Sequence, residues 1–186
     1  MEQPIILETD RLSFRKLTMD DFGALCSILQ DEEVMYAYEH AFSDQEVKEW
    51  LERQIGRYNR YGFGLWAVIL KKSGELIGQC GLTMQEWGER EVLEVGYLFR
   101  KAYWKQGYAI EAARACRDYA FEQLKAQEVF SIIRDNNLAS QKVARRNGME
   151  VRGRFTKHYY GMDMPHLVFS VTRDSFDQRC AGGEKE

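Results

Sequence analysis

The stretch Glu94 to Ala113, EVGYLFRKAYWKQGYAIEAA, brings together residues whose types and spacing suit anion binding. Glu94 to Phe99 has the β-branched and aromatic content of a strand, and Arg100 to Gln106 breaks that pattern. From Tyr108 small apolar residues recur at helical spacing. Gly107 falls where the helix begins, so the backbone N–H groups of Lys105 to Ala109 can point outward, unshielded by a Cβ at the glycine. Free donors and the positive end of a helix dipole then face one point, which is the chemistry of a phosphate cradle. A single glycine at a strand-to-helix turn also has an ordinary steric use. The chain has neither a Gly-Lys-Ser/Thr P-loop nor a GxGxxG fingerprint, which disfavours an ATP site.

The 186 residues suffice for one well-buried domain and are short for two. Hydrophobic residues make up 45% of the chain and aromatics 13%, which excludes a disordered chain. A net charge of −3 gives no reason to expect a nucleic-acid partner. Cys26, Cys80, Cys116 and Cys180 lie far apart without a CxxC pair, so no metal site or disulfide framework is expected and reduced thiols in a cytoplasm are. MEQPIILETDR lacks the layout of a signal peptide, and no run of about 18 apolar residues marks a membrane span.

In order, Ile5 to Leu17 reads as the first strand and Met19 to Gln30 as a helix opened by Thr18 and Asp21. An irregular aromatic segment, Asp31 to Phe42, precedes a second helix capped by Ser43 and Glu46, with Val47, Trp50, Leu51, Ile55 and Tyr58 as its apolar stripe. Leu65 to Leu70, Leu76 to Met84 and the strand ending at Phe99 form a meander. The central helix buries Ala112, Ala113, Cys116, Tyr119, Ala120 and Leu124. Val129 to Ile133 is a strand, Ser140 to Arg146 a short helix ended by Asn147-Gly148, and Met149 to Phe155 and Leu167 to Thr172 are strands. Pro4 and Pro165 fall outside element interiors, and the polar tail from residue 177 to 186 reads as flexible after a domain of residues 1–176. The order β-α-α-β-β-β-α-β-α-β-β predicts an α/β fold of the α+β kind, a mixed sheet of about seven strands with helices on its faces.

Three separated stretches carry a resemblance. LETDRLSFRKLTMDDF (Leu7 to Phe22), VGYLFRKAYWKQGYAIEAA, and Asn137-x-x-Ser140 followed by Val143 and Asn147-Gly148-Met149 resemble, in order and spacing, the GNAT superfamily of N-acetyltransferases and its RimJ/RimL-type branch. The resemblance spans roughly residues 7 to 172. It implies a mostly antiparallel sheet, acetyl-CoA as co-substrate with no metal, and acetyl transfer to a primary amine by direct attack in a ternary complex. It further implies that Lys105, Gln106, Gly107, Tyr108, Ala109 and Ile110 hold the pyrophosphate, and that Tyr97, Leu98 and Phe99, splayed from the next strand by a bulge, bind the pantetheine arm. Asn137 would contact the cofactor, and Ser140 would donate to the departing sulfur.

The chain also departs from the family pattern. Trp104 stands where the motif Gln/Arg-x-x-Gly-x-Gly/Ala begins, although tryptophan there suits the RimJ/RimL-type branch. Ala144 stands where many members place a tyrosine acid, and Ile132 where some place a glutamate. Proton chemistry therefore falls to a short set read from the residues. Glu94 is either a base working through water or a partner of the neighbouring strand; Ser140 is an acid, a helix N-cap, or both. Glu111 suits the helix dipole better than chemistry, His158 and His166 titrate in a useful range, and Cys116 reads as core. The acceptor stays open among a protein N-terminus, a polyamine, an amino acid and an amino sugar; Met35 to Phe42, the second helix and Tyr159-Tyr160 either line its pocket or simply close the core. A non-catalytic CoA-binding or partner-binding module is the alternative. Both a monomer and a homodimer joined through the last strands fit.

Overall fold

Residues 5–17, expected as one strand, fold as two. Thr9 donates its N–H to the Leu12 carbonyl at 2.9 Å, and its hydroxyl accepts the Leu12 N–H at 3.0 Å. This tight turn divides the segment into β1 (Ile5–Glu8) and β2 (Leu12–Lys16), an antiparallel pair. The structure, a computed structural model, describes residues 4–159 and 161–181. Then follow α1 (Phe22–Leu29), α2 (Asp44–Tyr61), β3 (Leu65–Leu70), β4 (Leu76–Trp87), β5 (Arg90–Phe99) and α3 (Tyr108–Glu122). The chain continues through β6 (Glu128–Arg134), α4 (Leu138–Arg146), β7 (Glu150–Tyr159), β8 (Met162–Thr172) and α5 (Arg173–Ala181). Among the described residues eight strands form one sheet in the order β1-β2-β3-β4-β5-β6-β8-β7, and the β1–β2 hairpin supplies the strand beyond the expected seven. The sheet is mostly antiparallel, with β5 and β6 parallel.

Two compact units make up the chain, one from the residues up to Thr83 with Gly96–Cys116, the other from Met84–Val95 with the residues from Arg117 onward. The first unit buries Leu12 and Phe14 of β2, Leu25, Ile28 and Leu29 of α1, Leu51 of α2 and Trp66 of β3. Cys116 packs there against Cys80 with the sulfurs 3.5 Å apart, a core thiol as expected. The Ser43–Glu46 capping box forms as expected, with the Ser43 N–H donating to Glu46 Oε2 at 2.8 Å. The aromatic segment before it also folds inward: Tyr38 and Phe42 meet the Trp50 ring edge-on at 6.0 and 5.8 Å. Trp50 in turn donates Nε1–H to Gln79 Oε1 at 3.0 Å.

In the second unit, α4 ends in a Schellman motif. Gly148 adopts φ 82° and donates to the Arg145 carbonyl, while Met149 N–H reaches back to Ala144, both at 3.0 Å. The left-handed φ explains the glycine after Asn147. Pro165, expected outside element interiors, lies within β8 opposite Thr156 of β7. Its carbonyl accepts the Asp135 N–H at 3.0 Å, just past the last β6 pairing, Arg134 with His166. The position whose N–H a proline lacks therefore faces the place where β6 has ended. The tail read from residue 177 begins inside α5, which is held by stacking of Phe176 on Phe121 at 4.7 Å and by Arg173 donating to the Phe121 carbonyl at 2.6 Å. Residues 182–186 and Tyr160 lie outside the described residues.

Entry into α1 depends on Asp21, which is buried. Arg15 donates to both of its carboxylate oxygens at 2.8 Å, and the Thr18 N–H donates to Oδ2 at 2.9 Å. Burial pushes the Asp21 carboxyl up, and the Arg15 and Thr18 hydrogen bonds more than offset it, so the net shift is downward from 3.8. A depressed folded-state pKa adds stability above the unfolded value and loses it as pH falls through the folded one. Asp21→Asn is expected to lower the unfolding free energy by about 1–3 kcal/mol at neutral pH. The gap to the native protein should close as denaturation is repeated below the ordinary carboxylate range; a gap independent of pH would contradict the account.

Candidate active site

The turn between β5 and α3 is built by three local devices in the first unit. Arg100 N–H donates to the Ile77 carbonyl at 2.9 Å, which ends the strand, and Lys101–Tyr103 forms a 3-10 turn. Trp104 then folds back and donates its indole Nε1–H to the Phe99 carbonyl at 2.9 Å. This bond gives the tryptophan at the head of the motif a structural use that sequence reasoning missed: it fastens the turn to the end of β5. Lys105 and Gly107 both take left-handed conformations, φ 59° and 82°, on either side of Gln106. Lys105 is a strained position for a residue with a Cβ, costing about 1–2 kcal/mol.

Among the described residues, the backbone N–H groups of Lys105, Gln106, Gly107, Tyr108, Ala109 and Ile110 find no partner, and the first helical bond recorded is Glu111 N–H to the Gly107 carbonyl at 3.1 Å. Unpaired donors at the start of a 15-residue helix give an anion-accepting end. Glu111 does not point into that end as a reactive group. Its Oε1 accepts the Thr9 hydroxyl at 2.6 Å and the Arg11 N–H at 3.1 Å, and its Oε2 accepts Arg11 Nε at 2.6 Å. Burial pushes its carboxyl up, but these bonds more than offset that and leave it lowered. In β5, Phe99 is buried, and Tyr97 and Leu98 are half-buried.

The second unit holds the remaining candidates. β5 and β6 run parallel and pair at Glu94 opposite Phe130. Side chains also bridge the two strands. Ser131 Oγ donates to the Val95 carbonyl at 2.9 Å, and Ile132 N–H donates to Glu94 Oε1 at 3.0 Å. Glu94 therefore meets the second expectation for it, that of a partner of the neighbouring strand. Asn137 is the N-cap of α4, its Oδ1 accepting the Ser140 N–H at 3.1 Å, so the cap role weighed for Ser140 belongs to Asn137. The helix starts two residues earlier than the sequence indicated. Asn137 and Ser140 are brought together, both half-buried.

His158 is exposed and pairs with Asp163 at 2.7 Å across the β7–β8 hairpin. His166 is buried and its Nδ1 lies 2.6 Å from the Met164 carbonyl, which can only accept; the proton is therefore on Nδ1. Burial is the main cause that lowers its pKa, so the ring is neutral with Nε2 as the basic nitrogen. The ring stacks on Phe155 with centroids 5.8 Å apart. No group of residues able to hold a metal occurs among the described residues, and no described helix is long and apolar enough to cross a membrane.

Residues 11–150 match the family of the acetyltransferase (GNAT) domain, and the chain belongs to that family. Relatives include the uncharacterized protein YkkB of Bacillus subtilis (strain 168), 36% identical over 144 residues that cover 77% of this chain and 84% of YkkB. Another is the uncharacterized N-acetyltransferase p20 of Bacillus licheniformis, 31% identical over 146 residues covering 74% of this chain and 78% of p20. The fold is similar to that of a GNAT-family acetyltransferase from Bacillus anthracis, with a TM-score of 0.76 and 23% identity over 90% of this chain and 98% of that one. It is similar also to RimL, the ribosomal L7/L12 alpha-N-protein acetyltransferase solved with coenzyme A, with a TM-score of 0.75 and 17% identity over 92% and 99%.

The bond from Ile132 to Glu94 gives a direct test. Glu94→Gln keeps an acceptor and is expected to change unfolding free energy by less than about 1 kcal/mol, whereas Glu94→Leu strands a strand N–H and should cost about 1–3 kcal/mol. Chemical denaturation of the two variants reads the difference, and equal losses would argue against the bond.

Proposed function

We propose that this protein moves the acetyl group of acetyl-CoA to a primary amine, by direct attack of the amine in a ternary complex. The observation that carries the reading is the β5–α3 turn, whose six unpaired backbone N–H groups suit the pyrophosphate of CoA. Family membership supplies the class of reaction. In this reading Lys105, Gln106, Gly107, Tyr108, Ala109 and Ile110 bind phosphate oxygens, and Tyr97, Leu98 and Phe99 lie along the pantetheine arm. Asn137 contacts the cofactor as well, and the Ser140 hydroxyl protonates the thiolate that leaves when the C–N bond forms. Glu94 accepts the amine's proton through water. Direct attack is supported by the burial of Cys116, which is enclosed in core and unsuited to an acyl-enzyme.

The acceptor class we assign is an amine of the RimJ/RimL type, a protein N-terminus or a small amine, in a single domain of residues 1–176. Support for the N-terminus comes from the likeness in fold to RimL, whose acceptor is ribosomal L7/L12. A protein that binds CoA without turnover is the competing reading.

Thiol release from acetyl-CoA, followed over peptides beginning in Ala or Ser, polyamines, amino acids and aminoglycosides, is expected to identify a turned-over amine. Gly107→Glu should abolish that turnover and the rise in melting temperature on adding CoA, because a side chain is forced into φ 82° and a carboxylate is placed at the anion end. Ser140→Ala is expected to lower kcat by about 10²-fold with little change in melting temperature. A native protein stabilised by CoA yet inert toward every amine would favour the binding module.

A further inference from the structure

Arg11 sits in the β1–β2 turn, far in sequence from α3, and the guanidinium is spread over that helix's first residues. Nε is bonded to Glu111 Oε2 at 2.6 Å, Nη1 donates to the Gln106 carbonyl at 3.0 Å, and the group lies 4.3 Å from the centre of the Tyr108 ring. Glu111 is itself anchored to the same hairpin by the Thr9 hydroxyl at 2.6 Å. A Cβ built on Gly107 would come within 3.3 Å of Arg11 Nη2, so guanidinium and turn are in close contact.

We propose that Arg11 is a positioning residue for the cofactor's pyrophosphate, acting by fixing the peptide plane between Gln106 and Gly107; the inference rests on the reading of the turn given above. The described chain has no cis peptide bond. In a trans peptide the carbonyl of one residue and the N–H of the next point in opposite directions. Binding the Gln106 carbonyl to Arg11 therefore aims the Gly107 N–H away from Arg11, toward the unpaired end of α3. The plane needs such a hold because it lies between two left-handed residues, Lys105 and Gly107. Without it the peptide is free to rotate, turning a carbonyl toward the anion in place of a donor. A surface ion pair between Arg11 and Glu111 alone would have no such effect on the turn. The fork geometry matters too: Lys can reach one acceptor as a point charge, but it cannot hold Glu111 and Gln106 together.

The test is calorimetric titration with CoA of the native protein, Arg11→Ala, Arg11→Lys and Lys71→Ala, with melting temperatures taken alongside. Lys71 serves as the control, since its Nζ binds the Thr9 carbonyl of the same hairpin at 2.7 Å without touching Gln106. Both Arg11 variants are expected to bind CoA about tenfold or more weakly, and Lys71→Ala within about twofold of the native protein. An Arg11→Ala affinity within twofold of native overturns the proposal. So does an equal loss in Lys71→Ala, which would trace the effect to hairpin stability. Failure of the native protein to bind CoA overturns the reading of the turn itself, and the role of Arg11 with it.

Discussion

The parallel contact between β5 and β6 is the constraint on which the rest of this structure depends. Among the described residues the β1–β2, β2–β3, β3–β4, β6–β8 and β7–β8 pairs are antiparallel, and a parallel neighbour following directly in sequence requires a crossover. The chain from Phe99 to Glu128 supplies it, and α3 is the body of that crossover. A helix that must start at the carboxyl end of a strand presents its unpaired N–H groups there. The anion-accepting turn is therefore a consequence of topology before it is a consequence of any particular side chain.

What particular side chains do is hold that turn open. A loop with two left-handed residues and a series of unpaired donors is a high-energy arrangement, and solvent alone would let it close into an ordinary helical start. Trp104 ties it to the Phe99 carbonyl, and Gln106 is held through its carbonyl by Arg11 and through its side-chain amide by the Ala102 carbonyl at 3.0 Å. These contacts use the side-chain edges and carbonyls of the turn and leave its N–H groups alone. Side chains serve the backbone between β5 and β6 as well, Ser131 donating to the Val95 carbonyl and Glu94 accepting the Ile132 N–H.

Features whose physics is local were legible in the sequence. The Ser43–Glu46 box, the Gly148 stop and the Gly107 start each depend on residues a few positions apart, and each was read where it occurs. The GNAT family was legible for a related reason, since its motifs are the local conformations that build the turn. Features that depend on distant partners were not. The turn at Thr9 is fixed by Glu111, a hundred residues away, and one alternating segment concealed a hairpin. Pro165 was judged by its own chemistry, whereas its tolerance comes from where β6 stops. The polar residues after Phe176 read as a flexible tail, yet Phe176 finds Phe121 and a helix forms over Arg173–Ala181.

Proton chemistry was least legible because a titratable residue's role is set by what it touches. Glu111 and Glu94 are both carboxylates near motif positions, and composition cannot separate them. The structure does: Glu111 has both oxygens engaged by Thr9 and Arg11, which fixes it as a charged anchor. Glu94 Oε1 accepts the Ile132 N–H of the neighbouring strand. His166 presents the opposite case, an imidazole whose tautomer is imposed by a carbonyl and whose neutral state is imposed by burial. A base must be neutral or anionic before the amine arrives, and a group already saturated by hydrogen bonds to its charged form is a weak one. On that criterion Glu111 drops out of the carboxylates near the motif, held in its charged form by three hydrogen bonds from Thr9 and Arg11.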